Sequence, residues 1–261
     1  MPRARLIFLL LSLFAFGAAA EPRPASLRLC TEDMDSPPWR SQNGPNLSLQ
    51  LLKTSAQKTK IKLEIREMAW VRCLSEVQNN QIDGVFEISF KPERLRIGVY
   101  PMKGDAPDPT FRMHLDGYSL YRLKGSKLEW NGQSLSHLDG AVGAQTGFSV
   151  IAQLQALGAP VDDSSRNPEQ NLNKLLARRI GALALPTLTG DNLLANNPVY
   201  RDRVEKVGPD LVAKPYYLIF SHNFADSHPK LTRQFWEAIA QTRESPEYRK
   251  ALQDALRQLN R

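Results

Sequence analysis

The sequence predicts an α/β protein built as two similar lobes joined by two extended hinge crossings. Three observations carry this expectation. Between residues 26 and 86, short apolar or alternating runs are separated by stretches with helical period, and the same order returns between residues 140 and 195. Two aromatic-rich extended runs without helical period, 117–123 (GYSLYRL) and 213–220 (AKPYYLIF), lie between and after these sets. A strand–helix–strand order implies a parallel sheet with right-handed crossovers.

The elements follow in order. Residues 26–31 (SLRLCT) read as the first strand, and 33–44 as a loop broken by Pro37 and Pro38. Leu49, Leu52 and Ala56 fall on one face at i, i+3 and i+7, which predicts a helix over 46–58. Residues 61–65 (IKLEI) alternate as a strand, 69–77 read as a helix, and 82–86 as a buried strand. In the second set, 140–144 is a strand, 148–157 a helix, and Val161 sits in a short strand. A helix over 168–178 opens with Pro168 and Glu169, both suited to a first turn. Residues 181–185 (GALAL) form a strand and 187–195 a helix; 229–241 and 246–259 read as amphipathic helices returning to the first lobe. The predicted division is therefore 21–116 with 214–261 as a discontinuous first lobe, and 117–213 as the second.

Residues 1–20 are set apart from the fold as an export signal. Arg3 and Arg5 precede an apolar core at 6–16, and Ala18-Ala19-Ala20 fits a small-residue cleavage site. An apolar core spanning 11 residues falls short of the roughly 20 that a spanning helix needs. The expected location is thus the periplasm. The formal net charge of the chain is +7, and removing Arg3 and Arg5 leaves +5. Its Lys and Arg residues are dispersed, without a basic block or interleaved aromatic stripe, which argues against nucleic acid and suits a solvated surface or attraction of an anionic solute. Cys30 and Cys73, in neither a CxxC nor a metal spacing, suit an oxidising compartment; a disulfide between them would tie the first strand to the second helix, and two free buried thiols are the alternative.

The most informative stretch is residues 81–101 (QIDGVFEISFKPERLRIGVYP), where Glu87, Ser89, Lys91, Glu93 and Arg94 crowd the carboxyl end of the predicted strand. Ligands of open α/β sheets sit at that edge. This segment resembles the type II periplasmic solute-binding proteins, in the polar amino-acid branch of extracellular solute-binding family 3. They share an Asp-Gly, an apolar strand, a Ser/Thr-rich turn, Glu-Arg and an aromatic-Pro strand. The resemblance extends from about Ser26 to Leu259 and implies the periplasmic binding protein-like II fold. It also implies capture of a small solute by hinge closure, and a monomer that delivers it to the membrane permease of an ABC transporter or docks on a membrane receptor. Neither a cofactor nor a metal is expected.

The resemblance also assigns residues. Arg94 matches the Arg that clamps the ligand carboxylate with its planar fork; Arg96 is its near neighbour and rival. Ser89 falls where relatives place a hydroxyl beside that Arg. Glu87 departs from the usual small residue, and either accepts from a ligand amine or pairs with Arg94. Residues 144–149 (AQTGFS) resemble the Gly-Thr-Gly loop of relatives, with Thr146 as a ligand residue, or Thr146 or Ser149 as a helix cap, and Gly147 permitting close approach. Trp39 and Trp70 are expected as aromatic walls, and Asp33 as a group able to reach a ligand cation. One departure stands out. Relatives that bind amino acids keep an Asp after the strand at 181–185 to hold the ammonium, and here the matching position is Pro186, with Asp191 five residues later. A carboxylate-bearing solute is expected, and an ordinary α-amino acid is in doubt. Some proteins of this fold are exported dehydratases of small carboxylic acids; that alternative needs a general acid, for which Glu87 is the candidate.

Overall fold

The computed structural model describes residues 23–259; the predicted export signal lies outside them. The first βαβαβ unit comprises β1 (Ser26–Glu32), α1 (Leu47–Thr59), β2 (Lys62–Met68), α2 (Trp70–Gln78) and β3 (Gly84–Ser89). A 3-10 turn over Pro92–Arg96 follows, then a small ribbon of β4 (Met102–Lys103) and β5 (Ala106–Pro107). The first crossing is β6 (His114–Leu123). Beyond it, β7 (Glu129–Trp130) and β8 (Leu135–Ser136) form a second ribbon. The second unit then runs β9 (Val142–Gln145), α3 (Val150–Ala156), β10 (Val161–Ser165), α4 (Pro168–Leu176), β11 (Ala182–Pro186) and α5 (Thr187–Asn196). Helix α6 (Pro198–Arg203) leads into β12 (Val204–Phe220), the second crossing, and α7 (His222–Ser227), α8 (Pro229–Arg243) and α9 (Pro246–Leu259) complete the chain.

The strands join in one eight-stranded sheet ordered β10-β9-β11-β6-β12-β3-β1-β2. Strands β2, β1 and β3 are mutually parallel, as are β10, β9 and β11. Between these triplets, β6 and β12 run antiparallel to each other and to their outer neighbours β11 and β3. Two α/β lobes therefore share a central pair of long strands, the two extended crossings. The crossing β12 begins nine residues before the predicted run, because its first part also pairs with β6. That part carries Gly208, Pro209 and Asp210, poor strand formers by composition.

The inner strands of each lobe are buried on both faces. On the first side, α1, α8 and α9 bring Leu51, Leu52, Phe235, Ile239 and Tyr248 onto Leu27, Leu29 and Phe220. The opposite face packs Val77 of α2 against Val85, Ile88 and Ile219 around the Cys30–Cys73 disulfide, which ties β1 to α2. The second side packs Val150 and Leu154 of α3 on one face of β9 and β11, and Leu172 and Leu175 of α4 on the other. Local signals account for the helix starts: the Asn46 side chain accepts from Leu49 N, and Asn167 accepts from Glu169 N and Gln170 N with Pro168 in the first turn.

One boundary differs in a way that matters for the site. Strand β3 spans Gly84–Ser89 rather than 82–86, so Glu87 and Ser89 belong to the strand itself. Polar residues ended the apolar run, but this strand end lines a cavity rather than leaving the sheet. Its register with β12 shifts between Tyr217 and Ile219, and Glu87 adopts φ 59° there. A bulge with one left-handed residue re-aims a side chain, and here it turns Glu87 toward the cavity.

Candidate functional site

A cavity of about 50 Å³ lies between the lobes, above the carboxyl end of β3 and the start of β6. Its floor is one face of the sheet. Ser89 of β3, Tyr216 of β12 and His114 of β6 form a row in register across three strands. Period-two alternation then places Asp116 and Tyr118 beside His114 on the same face. Aromatic rings enclose the space. Trp39 stacks on His114 with centroids 4.0 Å apart, His114 stacks on Tyr216 at 5.0 Å, and Trp70 meets Phe148 edge-on at 6.5 Å.

One end of the cavity is positive. Arg94, only 7% exposed, donates through Nη1 to the Ser89 carbonyl at 2.9 Å and to Ser89 Oγ at 3.2 Å. Its Nη2 reaches across to the Gly147 carbonyl at 3.3 Å, and its guanidinium lies 5.7 Å from the Trp70 ring centroid. Among the described residues no carboxylate lies within 4.0 Å of it. Ser89 Oγ donates to Ser149 Oγ at 2.9 Å, and Lys214 Nζ donates to the same Ser149 Oγ at 3.3 Å. Burial, and then the charges of Arg94 and Lys91, push the Lys214 ammonium down to about 8. Gly147, at φ 76°, closes this end; a Cβ there would stand 3.3 Å from Val71 and 3.4 Å from Trp70, so glycine permits the approach of the two lobes.

The other end carries acid groups. Glu87 is ion-paired through Oε2 to Arg40, while its Oε1 is buried without a hydrogen-bond partner. Asp116, 8% exposed, accepts from Gly117 N at 2.7 Å and from Trp39 Nε1 at 3.1 Å. Burial pushes its carboxyl up to about 7, with the charges of Glu87 and Asp210 adding to the effect. Burial also pushes the neighbouring His114 down to about 3, so its ring is neutral. Asp116 and His114 form the wall between this cavity and a wider groove of about 560 Å³ that runs beneath α9.

At the rim, Arg166 of the second lobe donates to Glu32 at 2.9 Å and to Asp33 at 2.5 Å. Burial and Asp33 push the Glu32 carboxyl up to about 7, whereas the Arg166 hydrogen bonds hold Asp33 below its ordinary range. Ser36 Oγ and Thr189 Oγ1, 3.0 Å apart, add another bond between lobes.

Of the residues expected from sequence, Arg94, Ser89, Glu87, Trp39 and Trp70 all line the cavity. Arg94 points inward, and Arg96 is exposed at the surface. Glu87 pairs with Arg40, not with Arg94, because the bulge turns it away from the 3-10 turn. Thr146 does not reach the cavity: its hydroxyl donates to the Asp163 carbonyl at 2.6 Å, so it neither lines the cavity nor caps α3. Asp33 is likewise outside, held at the rim by Arg166. Pro186 does line the cavity, and Asp191 is turned away to Tyr121 and Lys206. Sequence reasoning missed Arg40, His114, Asp116, Tyr118, Ser149 and Tyr216. The polar–aromatic alternation through HLDGYS and KPY was the available signal; it marks one face of each crossing strand.

No protein-family model matches the sequence, and no curated protein matches it either. Solved structures do. The ligand-binding core of GluR0 from Nostoc punctiforme, in complex with L-glutamate, superposes with a TM-score of 0.67 at 18% identity, covering 89% of this chain and 99% of that one. An ancestral arginine-binding protein bound to arginine gives 0.69 at 21%, covering 89% and 98%. A histidine kinase sensor domain with similarity to periplasmic binding proteins gives 0.68 at 16%, covering 88% and 96%. The chain therefore has the type II periplasmic binding protein-like fold, with two α/β lobes joined by two extended crossings.

Proposed function

We propose that this protein is a periplasmic solute-binding protein that closes its lobes around a small carboxylate-bearing solute. The observation that carries this reading is Arg94, a guanidinium buried between the lobes with no carboxylate partner among the described residues. A buried charge without a counter-charge is costly, and a ligand carboxylate held by the planar fork would remove that cost. Ser89 and Ser149 supply hydroxyls beside it, while Trp39, Trp70, Phe148 and Tyr118 exclude water. The hinge lies in the paired strands β6 and β12, dividing the chain into 21–116 with 214–261 and 117–213. Binding to one lobe followed by contact with the other shifts an open–closed equilibrium.

Uptake is the reading we favour, with the closed form recognised by the permease of an ABC transporter. The fold likeness to the substrate-binding protein of an amino acid ABC transporter supports it. Sensing on a membrane receptor is the second reading, favoured by the likeness to a histidine kinase sensor domain. The dehydratase alternative loses the general acid it was given, because Glu87 is ion-paired to Arg40. Calorimetry against a panel of small carboxylates tests the binding function, with mass spectrometry of solute released from the purified protein identifying the natural ligand. Binding of no carboxylate, with an uncharged solute released instead, would sink the proposal.

A further inference from the structure

Resting on the carboxylate reading above, we infer that Asp116 is the cation-binding residue of this cavity, and that the ligand is a short zwitterion whose cationic group is separated from its carboxylate by two or more carbons.

The argument starts from a charge count around the cavity. At the Ser89 end, Arg94 and Lys214 are both cationic and neither has a carboxylate within 4.0 Å among the described residues. At the other end, Glu87 is ion-paired to Arg40, and that cation makes no bond to Asp116. Among the described residues, Asp116 makes no ion pair. Lys214 is its opposite number in the β6–β12 register, yet the Lys214 ammonium is turned toward Ser149. Asp116 receives only two N–H donors, from Gly117 and Trp39. The nearby Glu87 Oε1 is a second buried acceptor with nothing to accept from. A cavity with excess positive charge at one end and excess negative charge at the other is complementary to a dipolar ligand.

Position then decides which dipolar ligand. In amino-acid binders of this fold the resemblance places the ammonium partner after the strand at 181–185, where this chain has Pro186. Proline lines the cavity but offers no charge. The three acids that might have replaced it are engaged elsewhere: Glu87 with Arg40, Asp33 with Arg166, and Asp191 with Tyr121 and Lys206. Asp116 approaches instead from the sheet floor. It lies two strands across from Ser89, which holds Arg94, and two residues further along β6 than His114. Strand spacing and rise put these two backbone positions roughly 12 Å apart. A spacer longer than one carbon suits that separation better. The cavity measures only about 50 Å³, so the spacer is short. The aromatic stack Trp39–His114–Tyr216 flanks the cation end, and ring faces favour a cationic group there.

The test is calorimetry with glycine, β-alanine, γ-aminobutyrate and propionate on the wild type and on Asp116→Asn, Arg94→Ala and Pro186→Asp, each checked for folding by circular dichroism. β-Alanine or γ-aminobutyrate should bind about tenfold or more tighter than propionate and glycine. That preference over propionate should collapse in Asp116→Asn. Pro186→Asp, which restores an acid on the second lobe, should shift the preference toward glycine. Propionate binding as tightly as β-alanine through Arg94, or an unchanged preference in Asp116→Asn, would overturn the role of Asp116 while leaving the carboxylate reading intact. Binding that survives Arg94→Ala would overturn the carboxylate reading and this inference with it.

Discussion

Arg94 and Arg96 lie two residues apart on one 3-10 turn, yet only Arg94 faces inward. Truncating a buried, hydrogen-bonded charge that contacts a ligand costs about 2–5 kcal/mol of binding. Arg94→Ala should therefore abolish measurable solute binding in calorimetry with the fold retained, whereas Arg96→Ala should bind nearly as the wild type. The reverse pattern would move the clamp to Arg96. Asp116 yields a second residue-scale prediction. Burial pushes its carboxyl up to about 7, so the folded protein holds this proton more tightly than the unfolded chain does. Its contribution is fully present below the unfolded value of roughly 4 and is lost as pH rises through 7, on the order of 4 kcal/mol at most. His114 acts in the opposite sense, since a ring pushed down to about 3 contributes stability that is lost as pH falls from its ordinary range. Only the difference between wild type and Asp116→Asn isolates the acid. Denaturant titrations should show the variant gaining relative stability from pH 5 to pH 8, and a pH-independent difference would refute the assignment.

At the scale of elements, two connections bear on the cleft. The Cys30–Cys73 disulfide ties β1 to α2, closing a separation of 43 residues. The chain-entropy model gives such a loop about 4 kcal/mol. Thiol labelling of the unfolded, unreduced exported protein should find no free thiol, and Cys73→Ser should lower the unfolding midpoint; stoichiometric labelling at both positions would contradict the bond. The turn from β9 into α3 carries Gly147 with its positive φ, facing Val71 and Trp70 across the cleft. Gly147→Ala combines backbone strain with a Cβ that pushes the lobes apart. Solute affinity should fall several-fold while the melting temperature of the ligand-free protein changes little. A large loss of ligand-free stability with unchanged affinity would mean that the glycine serves the fold of α3 alone.

For the whole molecule, the prediction concerns closure. Arg166 on the second lobe meets Glu32 and Asp33 on the first, and Ser36 meets Thr189. These contacts exist only when the lobes are together, so they favour the closed state and are weakened by salt at the exposed rim. Small-angle scattering should show the radius of gyration falling when solute is added. Arg166→Ala should raise the radius of the ligand-free protein toward the open form and weaken solute binding without touching the cavity. An identical radius with and without saturating solute, in both proteins, would argue against a hinge mechanism.

The fold was readable because its signals are local. Helical spacing in α1, alternation in β2, the Asn and Pro residues opening α4, and the repetition of these elements on either side of aromatic strands all reside within short windows of sequence. The same holds for Arg94, Ser89, Glu87, Trp39 and Trp70, which adjoin recognisable strand ends and turns. Sequence alone thus determined a two-lobed α/β chain and most of one wall of its cavity. Tertiary structure alone decided the other wall and the charge layout. Asp116, His114 and Tyr216 sit in crossing strands whose facing depends on a register set by pairing with β3, and Glu87 owes its direction to a bulge against β12. Thr146 and Asp33 lie outside the cavity for the same reason: each has a nearer partner, in Asp163 and Arg166, that only the packing of distant segments brings within reach. A hydrogen bond or ion pair depends on separation in space, and for these residues that separation is set by pairings dozens of residues away in the chain.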